Sequence, residues 1–487
     1  MMNRTPETSP PLKRGVLGRL ARWGLVLIVG SALAIGLAAG SLYLLRSKWD
    51  LRGNFTPVFD FSSPDRRLQE LERHRAAQRE GPLPTAEAAD ETLEGWPSFR
   101  GPRRDGVSEA TGLLSAWPAD GLRPLYRQPV GGGYSGFALG LGRAYTLEQR
   151  GGEEAVVAYD FLSGVELWSF SYPAYFQEQM GGDGPRATPT LDDRRLYALG
   201  AQGHLNCLDA LTGELVWARH LLRETNSGNL TWGMSGSPLI EGDRLWVTAS
   251  GLGGPGVLVF EKATGEPVGA YEPGRQQAYA SLEWVELVGR PVLLDFAAEA
   301  LVGLDPETGR RLWSFDWTGP QNGINAAQPL FIGPDRVFIS SGYGQGCAMI
   351  EIGVADGPEG PQWNARRLWS NVQMKNKFNS SVHHEGFIYG LDEGVLACLD
   401  ARDGRRRWKG GRYGYGQLLL AEGHLIVLGE SGELALVRAT PRAFEEVSRF
   451  KAIDGKTWNH PALAGGRLLI RNGREMACFD LRAEAGS

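Results

Sequence analysis

After residue 150 the chain carries eight short apolar strands, each ending at an anchor position, and in four of them the anchor opens an Asp-x3-Gly-x3-Trp pattern. The four copies are Asp160/Gly164/Trp168, Asp209/Gly213/Trp217, Asp305/Gly309/Trp313 and Asp400/Gly404/Trp408. A fifth, Glu261/Gly265, keeps the turn and has Gly269 where Trp is expected; Glu351, Arg438 and Asp480 complete the series with degenerate turns. Successive anchors lie between 38 residues (Asp400 to Arg438) and 52 residues (Asp209 to Glu261) apart. A repeat of this length, built from strands and tight turns, predicts an all-β propeller.

Each part of the repeat has a physical reason. Runs such as Val156-Val157-Ala158-Tyr159 suit a half-buried strand. The Asp carboxylate accepts from nearby backbone N–H groups and Gly takes positive φ, which closes a hairpin turn. Trp then falls on the next strand, where its flat side chain buries area against a neighbouring blade. These residues are read as architectural.

The strands upstream of each anchor repeat as well, as in Ala187 to Tyr197, Gly236 to Trp246 and Pro461 to Ile470. Two strands before the anchored one and the Trp strand after it make four antiparallel strands per blade, and hence eight blades. The last unit runs out of chain after Asp480-Leu481, whereas Leu122 to Val130 precedes the first unit and puts Tyr126 at the Trp position. An early strand is therefore expected to complete the last blade, which removes exposed sheet edges.

The repeat resembles the pyrroloquinoline-quinone-like (PQQ-like) propeller repeat, shared by quinoprotein alcohol dehydrogenases and by BamB, the outer-membrane assembly lipoprotein. Trp96-Pro-Ser-Phe-Arg-Gly-Pro-Arg-Arg-Asp-Gly-Val107, Gly184-Pro-Arg-Ala-Thr-Pro189 and Ser340-Ser-Gly-Tyr-Gly-Gln-Gly-Cys347 look like a membrane-anchored bacterial, BamB-like branch. The likeness covers residues 96 to 487 and implies an eight-bladed propeller. It does not by itself imply an activity, because one fold hosts many functions.

The N-terminus bears on location. Trp23 to Leu45 is 23 residues without a charge, long enough for a transmembrane helix. Five basic residues precede it (Arg4, Lys13, Arg14, Arg19, Arg22) and three follow closely (Arg46, Lys48, Arg52), a bias that favours a cytoplasmic N-terminus. A cleavable signal peptide with Ala38-Ala39-Gly40 at its end is the rival; the length of the apolar run favours an uncleaved anchor. No Cys near its end offers a lipid attachment point. The expected organisation is a basic cytoplasmic segment (1–22), a transmembrane helix (23–45), a charged linker (46–95) and the propeller (96–487). Within the linker, Pro64 to Glu80 reads as a short exposed helix, part of a tether.

Net charge is −5 with dispersed basic residues, so no nucleic-acid surface is expected. Cys207, Cys398 and Cys478 each stand two residues before an anchor Asp and, with Cys347, read as small apolar strand residues; no disulfide is expected. There is no Cys-x-x-Cys-His haem motif, zinc cluster or phosphate loop. Gly131-x-Gly133-x-x-Gly136 leads into a strand and is a chance match to the dinucleotide pattern. Gly233-Met-Ser235-Gly-Ser lacks the final Gly of a nucleophile elbow, and His383-His384 alternate faces of a strand.

What remains is the start of each innermost strand, where a propeller opens its central funnel. The candidates for ligand binding there are Arg186, Trp232, Ser235, Asn325, Asn379, Tyr415, Trp458 and Asn459, with Tyr134-Ser135, Tyr279, Ser281, Asn322, Ser380, Tyr413 and His460 around them. Amides, aromatics and an Arg at a channel mouth suit a small polar ligand or a peptide; equally, Asn and Ser at strand starts satisfy backbone groups, and Trp packs. No catalytic residue and no metal site is assigned.

A quinoprotein dehydrogenase implies more: a quinone between a Trp face and a disulfide of adjacent cysteines, beside a Ca2+ held by hard oxygen ligands. Here no two cysteines are adjacent. The leading expectation is therefore a cofactor-free binding or scaffolding propeller. It would be monomeric, anchored by a single helix in the inner membrane, and would meet envelope proteins or peptides on the periplasmic side. The alternative is a PQQ- and Ca2+-dependent alcohol or sugar dehydrogenase.

Overall fold

The computed structural model describes residues 28–37, 49–53, 56–59, 64–81, 95–178, 180–249, 254, 256–272, 276–358 and 360–483. The chain divides into two units, one of residues 1–50 and 57–63, the other of 51–56 and 64–487. In the first, residues 28–37 are helical and exposed. The rest of the expected transmembrane segment 23–45, all of 1–22 and much of 46–95 lie outside the described residues. Among the described residues no helix is long and apolar enough to cross a membrane.

In the second unit, the described residues form eight antiparallel meanders of four strands. Blade 1 is Ala138–Gly140, Arg143–Arg150, Glu153–Asp160 and Glu166–Pro173. Blades 2 to 7 span 190–220, 239–271, 283–316, 330–371, 382–412 and 417–451 in the same order. Blade 8 takes its inner three strands from Ala462–Ala464, Arg467–Arg471 and Glu475–Asp480 and its outermost from Tyr126–Pro129. Cys478 lies opposite Tyr126 in that pairing, as Cys207 lies opposite Trp217 and Cys398 opposite Trp408. The early strand thus closes the ring in the register the sequence predicts.

Burial follows strand order. The two middle strands of blade 1 are buried along nearly their whole length, whereas Glu166–Pro173 is largely half-buried or exposed. Accordingly Ala155–Tyr159 is a continuous apolar run, Arg143–Arg150 buries Thr146, Glu148 and Gln149 among its apolar residues, and the Trp strand mixes charge with aromatics.

The anchor motif links one blade to the next. Asp160 Oδ1 accepts from Ser163 N at 2.8 Å, and Asp209 Oδ1 from Leu211 N at 2.9 Å and Thr212 N at 3.0 Å. Asp305 Oδ1 and Asp400 Oδ1 do the same for Thr308 N and Arg402 N, each at 2.9 Å. Gly164 and Gly213 have φ of 72° and 76°. Each such Gly also lies under an aromatic ring of the preceding blade: a Cβ would stand 2.5 Å from Tyr126 at Gly164, and 2.6 Å from Trp168 at Gly213 and from Trp217 at Gly265. The same rings donate onward, Trp168 Nε1 to Ala210 O at 3.1 Å, Trp217 Nε1 to Lys262 O at 3.0 Å and the Tyr126 hydroxyl to Phe161 O at 3.0 Å. Asp, Gly and ring therefore form one inter-blade latch.

Gly404 and Trp313 correct the purely positional reading of the motif. Gly404, expected only to take positive φ, does so at 71°, but it is also enclosed: a Cβ there would stand 2.5 Å from the Trp369 ring and 2.6 Å from Asn371 Nδ2. Asn371 Nδ2 donates to Gly404 O at 3.0 Å and Trp369 Nε1 to Ala401 O at 3.1 Å, so blade 5 holds this turn from two sides. Trp313 departs in the opposite direction. It is buried among residues of blades 4 and 5, including Ile339, Ile350 and Ile352, so it does pack on its neighbour. Yet its Nε1 is buried with no hydrogen-bond partner among the described residues. The reason lies in the next blade, where the strand runs on from Glu351 to Ala355, still paired with Gln362–Arg366, so no anchor turn stands at that position to offer a carbonyl. Trp313 covers Gly303 of its own blade, the residue opposite it, where a Cβ would strike the indole. Trp313 is thus a packing residue without the polar half of the latch. Trp408, which also precedes a degenerate turn, keeps that half by donating from Nε1 to Thr440 O at 2.7 Å.

Two further departures have physical reasons. Blade 3 has Gly269 opposite Val259, where Trp is expected; Tyr271, two residues on and so on the same face, covers Gly309 instead. Blade 5 does have its aromatic, Trp369, opposite Met349. Its hairpin Gly346–Ala355 and Gln362–Asn371 is lengthened, so the eight-residue spacing from Glu351 is lost.

The linker helix corrects one expectation. Pro64–Glu80 is helical, but Leu71 and Arg75 are buried rather than exposed. Arg75 donates to Pro129 O at 2.6 Å and to the Tyr159 hydroxyl at 3.0 Å, and pairs with Glu166 at 3.0 Å. This end of the linker is fastened to blades 8 and 1.

Candidate functional site

The inner strands start at one end of the ring, so the connections between blades and the turns between second and third strands share that end. The anchor turns lie at the other. The Trp96–Val107 motif crosses the channel below this mouth. Trp96 and Leu139 exchange backbone bonds at 3.0 and 2.8 Å (blade 1), Pro97 O accepts from Leu191 N at 2.8 Å (blade 2), and Arg104 Nη1 donates to Pro238 O at 3.1 Å (blade 3). Arg100 Nη2 donates to Ser381 O at 2.7 Å (blade 6), and Val107–Ser108 adds in parallel to Leu420–Ala421 (blade 7). Glu283 of blade 4 is buried near both guanidinium groups. Burial brings Arg100 and Arg104 down to about 10 and pushes Glu283 up to about 7, the two arginines partly offsetting the latter. The motif is a plug that ties five blades together.

Above the plug, hydrogen bonds run from blade to blade. Gly136 N donates to Thr188 Oγ1 (3.0 Å), Thr188 N to Ser237 Oγ (3.0 Å), Ser237 N to Ser281 Oγ (2.9 Å), Ser281 N to Gln328 Oε1 (3.0 Å) and Gln328 N to Ser380 Oγ (2.9 Å). Each side chain satisfies the backbone of the blade before it, as buried N–H groups require.

The funnel over this belt is a cavity of about 200 Å3, with Phe99, Gln417 and His460 in its lining. His460 is held down to about 3, first by burial and then by Arg100, and its Nδ1 faces Pro461 O at 2.8 Å. The rim is aromatic: Trp458 is 4.4 Å from Phe378 and 5.3 Å from Tyr134 between ring centroids, and Trp232 is 5.5 Å from Tyr279. Three cations lie over these and neighbouring rings. Arg186 is 4.5 Å from the Phe176 centroid, Lys377 is 4.2 Å from that of Tyr343, and Lys456 is 4.1 Å from that of Trp458. Burial lowers the Arg186 and Lys377 pKa values.

Of the expected site residues, Arg186, Trp232, Ser235 and Trp458 line the cavity, and Tyr415 packs on Phe378 at its edge, 5.8 Å between centroids. Asn325, Asn379 and Asn459 instead lie in the wall, each at most 1% exposed. Asn325 Nδ2 donates to Ala297 O at 2.8 Å while its oxygen accepts from Ser341 Oγ at 2.7 Å. Asn379 accepts from Asn376 Nδ2 at 3.1 Å, and Asn459 donates to Ser135 O at 2.9 Å. The side chain of Asn322 lies outside the described residues.

The turns between second and third strands reach the same mouth without any strand start to mark them. Tyr343 and the buried Glu430 come from such turns. Lys377, in the connection into blade 6, stands two residues before Asn379 and carries no repeat signature.

The residues present do not fit a quinone with Ca2+. The amide oxygens of Asn325 and Asn379 are engaged within the wall. The four cysteines are free and buried in the blades, and among the described residues no group of three His, Cys, Asp or Glu side chains is placed to hold a metal.

Residues 152–410, just over half of the chain, match the family model described as outer membrane protein assembly factor BamB. The chain belongs to this BamB-like propeller family. No curated protein matches the sequence. Among solved structures, BamB from Moraxella catarrhalis aligns at 15% identity and a TM-score of 0.52, over 75% of this chain and 99% of that one. The computationally designed Ika8 protein aligns at 10% and 0.52, over 72% and 98%. A quinohemoprotein alcohol dehydrogenase from Comamonas testosteroni aligns at 12% and 0.45, over 86% and 85%. At these identities the first two speak for the fold alone. Family membership and fold leave the funnel's occupant to be argued from its chemistry.

Proposed function

We propose that this BamB-like propeller is a binding or scaffolding module of the cell envelope, gripping envelope proteins or peptides at the funnel mouth without chemistry of its own. The observation that carries the reading is the rim. Mutually tilted aromatic rings, the buried Lys377 with the half-buried Arg186 and Lys456, and the buried carboxylate of Glu430 surround a cavity closed below by the plug, an arrangement suited to holding a polypeptide segment. We further propose that the apolar run 23–45 anchors the chain in the inner membrane with the propeller on the periplasmic side, a reading that rests on its length and flanking charges.

A photoreactive amino acid placed at Trp232 or Tyr343 of the full chain, irradiated in intact cells, tests the binding reading. Adducts with defined envelope proteins are expected from the rim and not from the exposed outer-strand position Leu215. Adducts from Leu215 alone would move the binding surface off the funnel. Saturable PQQ binding with Ca2+ and turnover on alcohols would replace the reading with the dehydrogenase one.

A further inference from the structure

The linker residue Gly53 occupies the funnel mouth, and both of its backbone polar groups meet buried charged side chains. Gly53 N donates to Glu430 Oε1 at 2.6 Å, and Lys377 Nζ donates to Gly53 O at 2.5 Å. Glu430 and Lys377 are 4% and 6% exposed. Glu430 Oε1 also accepts from Trp458 Nε1 at 2.9 Å, and the Lys377 ammonium lies 4.2 and 4.6 Å from the ring centroids of Tyr343 and Tyr415. Both charged groups are therefore held in place by the rim. The third wall is steric: a Cβ on residue 53 would run into the Tyr415 ring. Gly53 stands in a turn, and Arg52 N donates to Thr56 O at 2.9 Å.

Such a site reads both backbone groups of one residue, donor and acceptor together, and rejects a side chain on it. Charge-assisted bonds in a buried site are strong, and removing that residue withdraws a partner from each buried charge. Neither feature depends on the sequence around the glycine, which suits a scaffold that meets different chains.

We infer that the Glu430–Lys377–Tyr415 mouth is a clamp for a glycine-bearing turn of a polypeptide, and that the linker turn bearing Gly53 occupies it in cis as a built-in competitor. This rests on the binding reading above and names its ligand class. A tethered turn has a high effective concentration, so a turn arriving in trans must displace it.

The probe is a fluorescent peptide with the sequence of residues 50–57, titrated into the full-length chain in detergent. Gly53→Val vacates the clamp. The peptide is expected to bind this variant at least tenfold more tightly than wild type. Adding Glu430→Gln or Lys377→Met, or replacing Gly by Val in the peptide, is expected to weaken that binding at least tenfold. Equal binding to wild type and Gly53→Val, or binding indifferent to all three changes, overturns the clamp.

Should Gly53→Val fail to fold, trypsin cleavage after Arg52 in the otherwise unchanged chain is the second measurement. Faster cleavage in Glu430→Gln than in wild type supports the clamp, and equal rates overturn it. Peptide binding without any envelope-protein adduct would sink the partner assignment and leave the clamp standing. Rim adducts unaffected by Glu430→Gln would do the reverse.

Discussion

The ring of Tyr271 in blade 3 lies against Gly309 of blade 4, the contact that Trp168 makes with Gly213, Trp217 with Gly265 and Trp369 with Gly404. The constant element is thus a flat ring over a Cβ-less turn, rather than an indole at a fixed position. Two costs fall on such a glycine, the left-handed backbone and the ring above it. They are separable, because Gly423 has φ of 71° with nothing within 4 Å of its would-be Cβ. Gly423→Ala is expected to lose about 1 kcal/mol from backbone strain alone. Gly213→Ala adds a clash and is expected to lose about 3 kcal/mol. Denaturant melts of the two variants check this, and equal losses would remove the latch.

The ring over such a glycine contributes in its own right. Tyr271→Phe keeps the face over Gly309 and gives up only a 3.4 Å bond from the hydroxyl to Pro306 O; a loss below about 1 kcal/mol is expected. Tyr271→Ala opens the blade 3–blade 4 seam and should lose about 3 kcal/mol. A shift in chemical denaturation midpoint at unchanged slope is the readout.

How much of this was legible beforehand follows from where each signal lives. Asp, Gly and Trp at fixed spacing act within a hairpin and across one seam, so the blade count, the closing strand and the Tyr126 substitution could be read directly. Tyr271 was hidden because a face, not a position, is what the latch needs. Trp369 was hidden by a lengthened hairpin, and with it the second constraint on Gly404. Trp313 shows the converse, since the motif is present in its own blade but the turn it would latch belongs to the next one. At the mouth, Arg186, Trp232, Ser235 and Trp458 line the cavity. Asn325, Asn379 and Asn459 do not, because an amide can serve a wall carbonyl as well as a ligand, and the sequence does not say which. Glu430 depends on a contact with a residue 377 positions away, beyond any local pattern.

The plug makes stability depend on pH through Glu283. Its ordinary value is near 4.5 and burial raises it to about 7 in the folded chain. Between those values the native state keeps a proton that the unfolded chain has released, so the contribution is full below pH 4.5 and lost as pH rises through 7. The span corresponds to about 3 kcal/mol. His460, depressed to about 3, works in the opposite sense, weakening the fold as pH falls below about 6.5. The measurement is therefore the difference between wild type and Glu283→Gln, in which the histidine cancels. Wild type is expected to lose stability relative to the variant from about pH 4.5 to about pH 7.5, and a flat difference would mean that Glu283 titrates normally.

Thiol reactivity gives a test of the blades themselves. Cys207, Cys347, Cys398 and Cys478 are buried, and burial pushes each thiol up to about 12. At about pH 8 almost none is thiolate, the species that attacks a disulfide reagent, and none is reachable in the closed sheet. All four should resist an aromatic disulfide at that pH in the folded chain and react together once it unfolds in denaturant. Because Cys478 faces Tyr126 in the strand pairing that closes the ring, it is also the most local reporter of that closure. Tyr126→Ala removes the ring over Gly164 and the bond to Phe161 O. In that variant Cys478 should become reactive at lower denaturant than Cys207 or Cys398, as mass-spectrometric mapping of the labelled thiols would reveal. Simultaneous exposure of all the thiols would mean that the ring opens as one unit, with no weak point at the seam where its two ends meet.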